Sequence, residues 1–223
     1  MAFIGRKPTD APLTSSDVAD GIITNAKLAQ DIISGDTALA SEPADTDEFL
    51  VSDAGVLKRI DYSLIKGGGI TQADQWRITS NASLDSGDVV SANWERNDND
   101  YDKVGDGMSE SSGVFTFPET GIYLIHTTLQ AGDTTDQDYV GLILENTLNN
   151  SSYDTLQDSY SNITSGGGAQ VYVNVSDTCM VDITDLTNHK VRMKLGSEAA
   201  GVSVKGSTSS QKTGLTFIRL GDT

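Results

Sequence analysis

The stretch from Ser112 to Leu129, SGVFTFPETGIYLIHTTL, constrains this chain more than any other. Pro118 has no N–H to donate and fixes φ, so a strand through Phe115 and Phe117 must stop there. Gly121 then supplies the freedom to re-enter a sheet. The next strand carries Ile122, Tyr123, Leu124 and Ile125 in succession. Side chains along a strand alternate between faces, and an antiparallel strand with one wet face should alternate in polarity too. Four apolar residues in a row predict that both faces are covered. One face meets a sandwich core, and the expected cover for the other is a second copy of the same chain. His126, on the same strand, is expected in the core or in that subunit interface.

The rest of the C-terminal part reads as short strands joined by turns. Val140, Leu142 and Leu144 alternate, as do Val171, Val173 and Val175, with a shorter piece at Val202 and Val204. These are core positions. The 22 glycines and a hydrophobic content of 37% suit an all-β sandwich. A net charge of −17 argues against nucleic acid or an anionic membrane as the main partner. No apolar run approaches a membrane span, so no insertion is expected. Cys179 is the single cysteine, and its neighbours Met180, Val181 and Ile183 predict a buried strand thiol. Met1 to Pro12 is short of apolar residues and contains Arg6 and Lys7, so synthesis in a cytoplasm is the expectation.

The N-terminal third is organised differently. Residues 1–13 read as an extended arm, and Thr24 as the N-cap of a brief helix running to about Ile33. Glu48 to Ser52 and Val56 to Ile60, around Asp53-Ala54-Gly55, predict a hairpin. Gly67, Gly68 and Gly69 then break the chain. Short apolar clusters between polar stretches cannot bury much surface alone, so this region is expected to fold against other chains.

Two resemblances enter on these residues. Asn99, Tyr101 and Asp102 ahead of Phe115, Pro118, Gly121 and Tyr123, then Val191, Met193 and Leu195, then Thr216 to Leu220, resemble the head of the complement-q and tumour necrosis factor superfamily. The likeness covers roughly residues 74–223. It implies a ten-stranded jelly roll that assembles as a trimer, with Phe115, Phe117, Ile122, Tyr123, Leu124, Ile125 and Phe217 in its interface or core. Separately, Pro12 to Val18, Asp20 to Thr24, Ala26 to Ala29 and Thr46 to Ile60 are similar to recurring segments of bacteriophage tail-fibre and virion structural proteins. That likeness implies a virion context, not a chemistry.

Little points to catalysis. Neither His126 nor His189 has a second histidine or a cysteine at ligand spacing, and no Gly-x-Ser-x-Gly or phosphate loop occurs. Asp98, Asp100 and Asp102 alternate like the first positions of a calcium loop, but Lys103 and Ser109 stand where an EF-hand needs glycine and glutamate. A looser calcium site at these three aspartates is the candidate metal site, and no cofactor is otherwise expected. Asp133, Asp136 and Asp138 read as a solvated loop. Residues 146–168 read as a long polar connection, and Tyr153 and Tyr160 within it are the candidate receptor-contact residues. Trp76 is expected just ahead of the first head strand, and Trp94 in the core.

The expectation is therefore a non-enzymatic bacteriophage virion protein: a homotrimeric tail fibre or spike. Residues 1–69 would hold other virion proteins, and the head at 70–223 would meet a host surface receptor, with a glycan as one candidate. The alternatives are a capsid decoration or head-fibre protein and, third, a depolymerase of surface polysaccharide.

Overall fold

The computed structural model describes residues 18–19, 37–65, 69–99, 101–165 and 167–223. The chain divides into two compact units, Met1–Gly67 and Gly68–Thr223. The expected helix at 24–33 lies outside the described residues, as do Gly67 and Gly68.

The described part of the first unit is built around a hairpin, β1 (Glu48–Asp53) against β2 (Val56–Asp61), followed by one 3₁₀ turn at Tyr62–Leu64. Ala54 and Gly55 both take positive φ, 50° and 84°, which is the twist a two-residue turn between right-twisted strands requires. Phe49 pairs with Ile60 and Val51 with Lys58. Leu50 and Leu57 remain about 70% exposed, at 74% and 69%.

The second unit is a sandwich of two antiparallel sheets. Its strands are β3 (Ala73–Ile78), β4 (Ala82–Leu84), β5 (Trp94–Arg96), β6 (Lys103–Val104), β7 (Ser109–Ser111), β8 (Val114–Thr116), β9 (Gly121–Asp133), β10 (Gln137–Thr147), β11 (Asp154–Ile163), β12 (Val171–Ile183), β13 (Lys190–Ser197), β14 (Val202–Val204) and β15 (Gly214–Gly221). One sheet has the order β11-β10-β13-β8-β7. The other runs β4-β14-β9-β15-β3-β5, with β12 also paired to β9 and β6 to β3. The ten strands expected are cut more finely here, because pieces of two or three residues accompany the long ones.

The long strands behave as period two demands. Val140, Leu142 and Leu144 from one sheet, and Tyr123, Ile125 and Leu129 from the other, are fully buried between the layers. Phe115 is the hub. Trp76 and Trp94 meet its ring edge-on at centroid distances of 5.6 and 5.0 Å, and Phe217 lies 5.4 Å away. Trp76 thus sits within β3 rather than ahead of it, and its Nε1 donates to Asp74 at 2.9 Å. Trp94 packs on the core as expected and donates to the Val90 carbonyl.

Gly121 shows why the turn after Pro118 needs glycine. Its φ is +144°, and a Cβ there would come within 2.5 Å of Arg219 Nε and the Gly221 carbonyl oxygen. A second correction falls on residues 146–168, which contain the ten-residue strand β11 rather than one long connection. Its inward residues are few, mostly Leu156 and Ile163, so an edge strand looks like a polar loop in the sequence.

Candidate functional site

The outer face of the larger sheet is assembled by register. Met180 on β12 pairs with Leu124 on β9, Leu124 with Ile218 on β15, Ile218 with Ala73 on β3, and Ala73 with Val104 on β6. Five strands therefore contribute one apolar residue each to a single row. Met180 is 65% exposed, and Ile122 is 37% exposed beside it. The row ends in a recess of about 390 Å³ lined by Ile70, Ala73, Tyr101, Val104 and Ile218, with Gln75 and Thr216 at its polar edge. Scattered exposed apolar residues are ordinary, but a contiguous patch marks a surface that meets something.

One register step further the same face turns polar. Thr178, His126, Thr216 and Gln75 form the next row. His126 Nδ1 lies 2.9 Å from Thr178 Oγ1, Gln75 donates to Thr216 Oγ1 at 3.0 Å, and Asn97 donates to Gln75 at 2.6 Å. His126 thus belongs to the outer face and not to the core. Of the run Ile122–Ile125, Tyr123 and Ile125 enter the core while Ile122 and Leu124 stay on the open side. Burial, with the Glu119 carboxylate second, pushes the Tyr123 hydroxyl up to about 12.

The remaining predicted site residues are dispersed. Asp98 accepts from the buried Arg77 guanidinium at 2.9 Å, as part of a set with Glu95 and Asn97. Asp102 is exposed, Asp100 lies outside the described residues, and no group of three metal-ligating side chains occurs among the described residues. Asp133 folds back on the backbone of Thr134 and Thr135, and Asp136 accepts from Ser165. Those contacts hold turns. Tyr153 and Tyr160 do not share a loop: Tyr153 precedes β11 with the Arg192 guanidinium 3.7 Å from its ring centroid, whereas Tyr160 projects from β11 itself. His189 accepts from the Thr184 backbone N–H within its turn. Cys179 is half-buried, and burial followed by the Asp177 charge pushes its thiol up to about 11.

Further ion pairs brace the head. Asp74, 2% exposed, accepts from Arg96, Trp76 and the Met108 backbone N–H. Glu145 on β10 accepts from Arg192 at 2.7 Å and Lys194 at 2.9 Å on β13. Burial alone would raise the Glu145 pKa, but the hydrogen bonds from Lys194 and Arg192 outweigh it and hold the carboxyl below its ordinary value. A depressed folded pKa contributes stability that is present above the unfolded value and lost as pH falls through the folded one. Glu145→Gln should therefore lower Tm at neutral pH and flatten its fall below about pH 4.5, which scanning calorimetry across pH 3–7 reads directly.

No known family model matches the chain, and no curated protein matches it. Solved structures do. Eiger TNF from S. frugiperda superposes with a TM-score of 0.52 at 13% identity, over 70% of this chain and 96% of that one. A crystal structure of murine APRIL at pH 8.0 superposes with a TM-score of 0.50 at 17% identity, over 67% of this chain and 98% of that one. The two sheets and their pairing are thus those of a jelly-roll sandwich of the tumour necrosis factor type, and the likeness extends to fold alone.

Proposed function

We propose that this chain is a non-enzymatic virion structural protein of a bacteriophage, a homotrimeric tail fibre or spike whose jelly-roll head is turned to the host. The apolar row Met180–Leu124–Ile218–Ala73–Val104 carries the reading. It crosses five strands on the face opposite the core, and an equivalent row on a second and third copy would cover it in a closed ring. A two-stranded hairpin is marginal in water by itself. The exposed Leu50 and Leu57 are thus supplied with partners if the first units of three chains also meet. The virion setting rests on the N-terminal segments that resemble fibre proteins. A role without catalysis fits the two histidines, each spent on holding a neighbouring strand or turn.

Light scattering on the full chain, with and without a chelator, tests the assembly. A mass of three chains in both conditions is the expected result. A monomer in both overturns the reading, and a trimer lost on chelation would move the assembly to a metal. For the placement on the particle, purified protein should reduce adsorption of the parent phage to its host. Unchanged adsorption together with binding to capsids would reassign the chain as a capsid decoration protein.

A further inference from the structure

Two tyrosines on the outer face of the smaller sheet form a corner that the interface reading leaves unused. Gly141 on β10 and Gly196 on β13 are cross-strand partners, and Tyr160 on β11 stands opposite Gly141. With no side chains in the way, the Tyr160 ring lies down across both strands. A Cβ on Gly141 would meet its Cδ1 at 2.7 Å, and one on Gly196 would meet Cε1 at 2.7 Å and Oη at 3.1 Å. One ring face is spent on backbone and the other is open, leaving Tyr160 44% exposed. Tyr139, 45% exposed, stands against it at an interplanar angle of 87° with centroids 5.8 Å apart. The pair makes a floor and a wall.

The rim is polar and uncommitted. Among the described residues neither tyrosine hydroxyl has a hydrogen-bond partner, nor does the carboxylate of Asp158, two positions before Tyr160 on the same face of β11. Covering two glycines explains the lower face of the Tyr160 ring. It does not explain a second exposed ring or the free hydroxyls, since a leucine would cover the glycines as well. A ligand for this corner must lay a flat apolar face on the floor and offer hydroxyl donors to the rim. An anion is repelled by Asp158 and by the chain's net charge of −17. A wholly apolar ligand would desolvate that carboxylate with nothing in return. A pyranose ring, with C–H bonds on one face and hydroxyls around its edge, meets both demands.

We propose that the Tyr139–Tyr160 corner is a binding site for a neutral pyranose of a surface glycan. This gives the host-facing role a ligand class, and rests on that role only for the biological source of the sugar. Saturation-transfer NMR on the full chain tests it, with millimolar methyl glycosides of glucose, galactose, mannose, rhamnose and N-acetylglucosamine. Tetramethylammonium serves as a cationic probe. At least one glycoside should take up saturation on its ring C–H protons. That signal should fall at least fivefold in Tyr139→Ala, and likewise in Tyr160→Leu, which keeps the glycines covered. Saturation of no glycoside, signals unchanged in both variants, or saturation of tetramethylammonium alone would each overturn the site. A trimer that blocks adsorption but binds no glycoside loses only this inference, whereas a monomer that binds one keeps it and loses the assembly.

Discussion

Leu124→Asp combined with Ile218→Asp should convert the proposed trimer into a folded monomer, whereas Ile125→Asp should leave no folded head. Leu124 and Ile125 are neighbours in sequence and differ only in which way the pleat of β9 turns them. Leu124 and Ile218 are half-buried partners on the open face, where a carboxylate of a lone protomer stays in water. In an assembled trimer the same carboxylates would be trapped without counter-ions, which costs several kcal/mol per chain, on the order of 3–5. Ile125 is fully buried between the sheets, so the same charge falls on the fold itself and rivals a total stability of about 5–15 kcal/mol. Light-scattering mass read beside far- and near-ultraviolet circular dichroism separates the two effects. A trimeric Leu124→Asp, Ile218→Asp double variant would show that the apolar row is not the interface.

Phe115→Ala should destabilise the head by about 4 kcal/mol, within the range for deleting a fully buried aromatic ring. Among the described rings, Phe115 is the one in contact with all of Trp76, Trp94 and Phe217, so its removal strips three aromatic contacts and opens a cavity between them. Denaturant unfolding followed by tryptophan fluorescence would report it twice, as a lowered midpoint and as an altered native spectrum from Trp76 and Trp94. Phe115→Leu, which keeps much of the volume, should lose less than half as much. Equal losses would mean that the ring contacts carry little beyond volume.

Much of this architecture is legible in the sequence, and the reasons differ from element to element. The hairpin at Glu48–Asp61 could be read because Asp53-Ala54-Gly55 names its own turn. Strand β9 could be read because Pro118 and Gly121 bracket its start and its apolar run is strong. Strand β11 was not, because it is an edge strand whose outward residues outnumber its buried ones, and alternation fades into the composition of a loop. The surface sites were hidden for a further reason. Val104, Ala73, Ile218, Leu124 and Met180 are scattered over more than a hundred residues, and only register lines them up. Tyr160 likewise gains meaning only once Gly141 and Gly196 are known to lie under it, and Tyr139 only once it is seen to stand against that ring. A pattern search sees neither, since both depend on pairings between distant strands. The aspartates at 98 and 102 illustrate the converse. Their spacing suggests a metal loop, yet the buried Arg77 guanidinium is what Asp98 serves.

The pairing of β3 with β15 has a consequence for how the protein is made. Gln75 donates to Thr216 across 141 residues of chain, so the first strand of the head waits for the last before it has a neighbour on that side. At ordinary translation speeds of about 5–20 residues per second, that wait is roughly 7–28 s. Until then the ribosome carries a strand with an open edge, and the outer face that the proposed trimer would use does not yet exist. If copies assemble as proposed, they can meet only after β15 has been made, which makes the yield of assembled protein depend on local concentration and on holding the nascent chain apart from its neighbours.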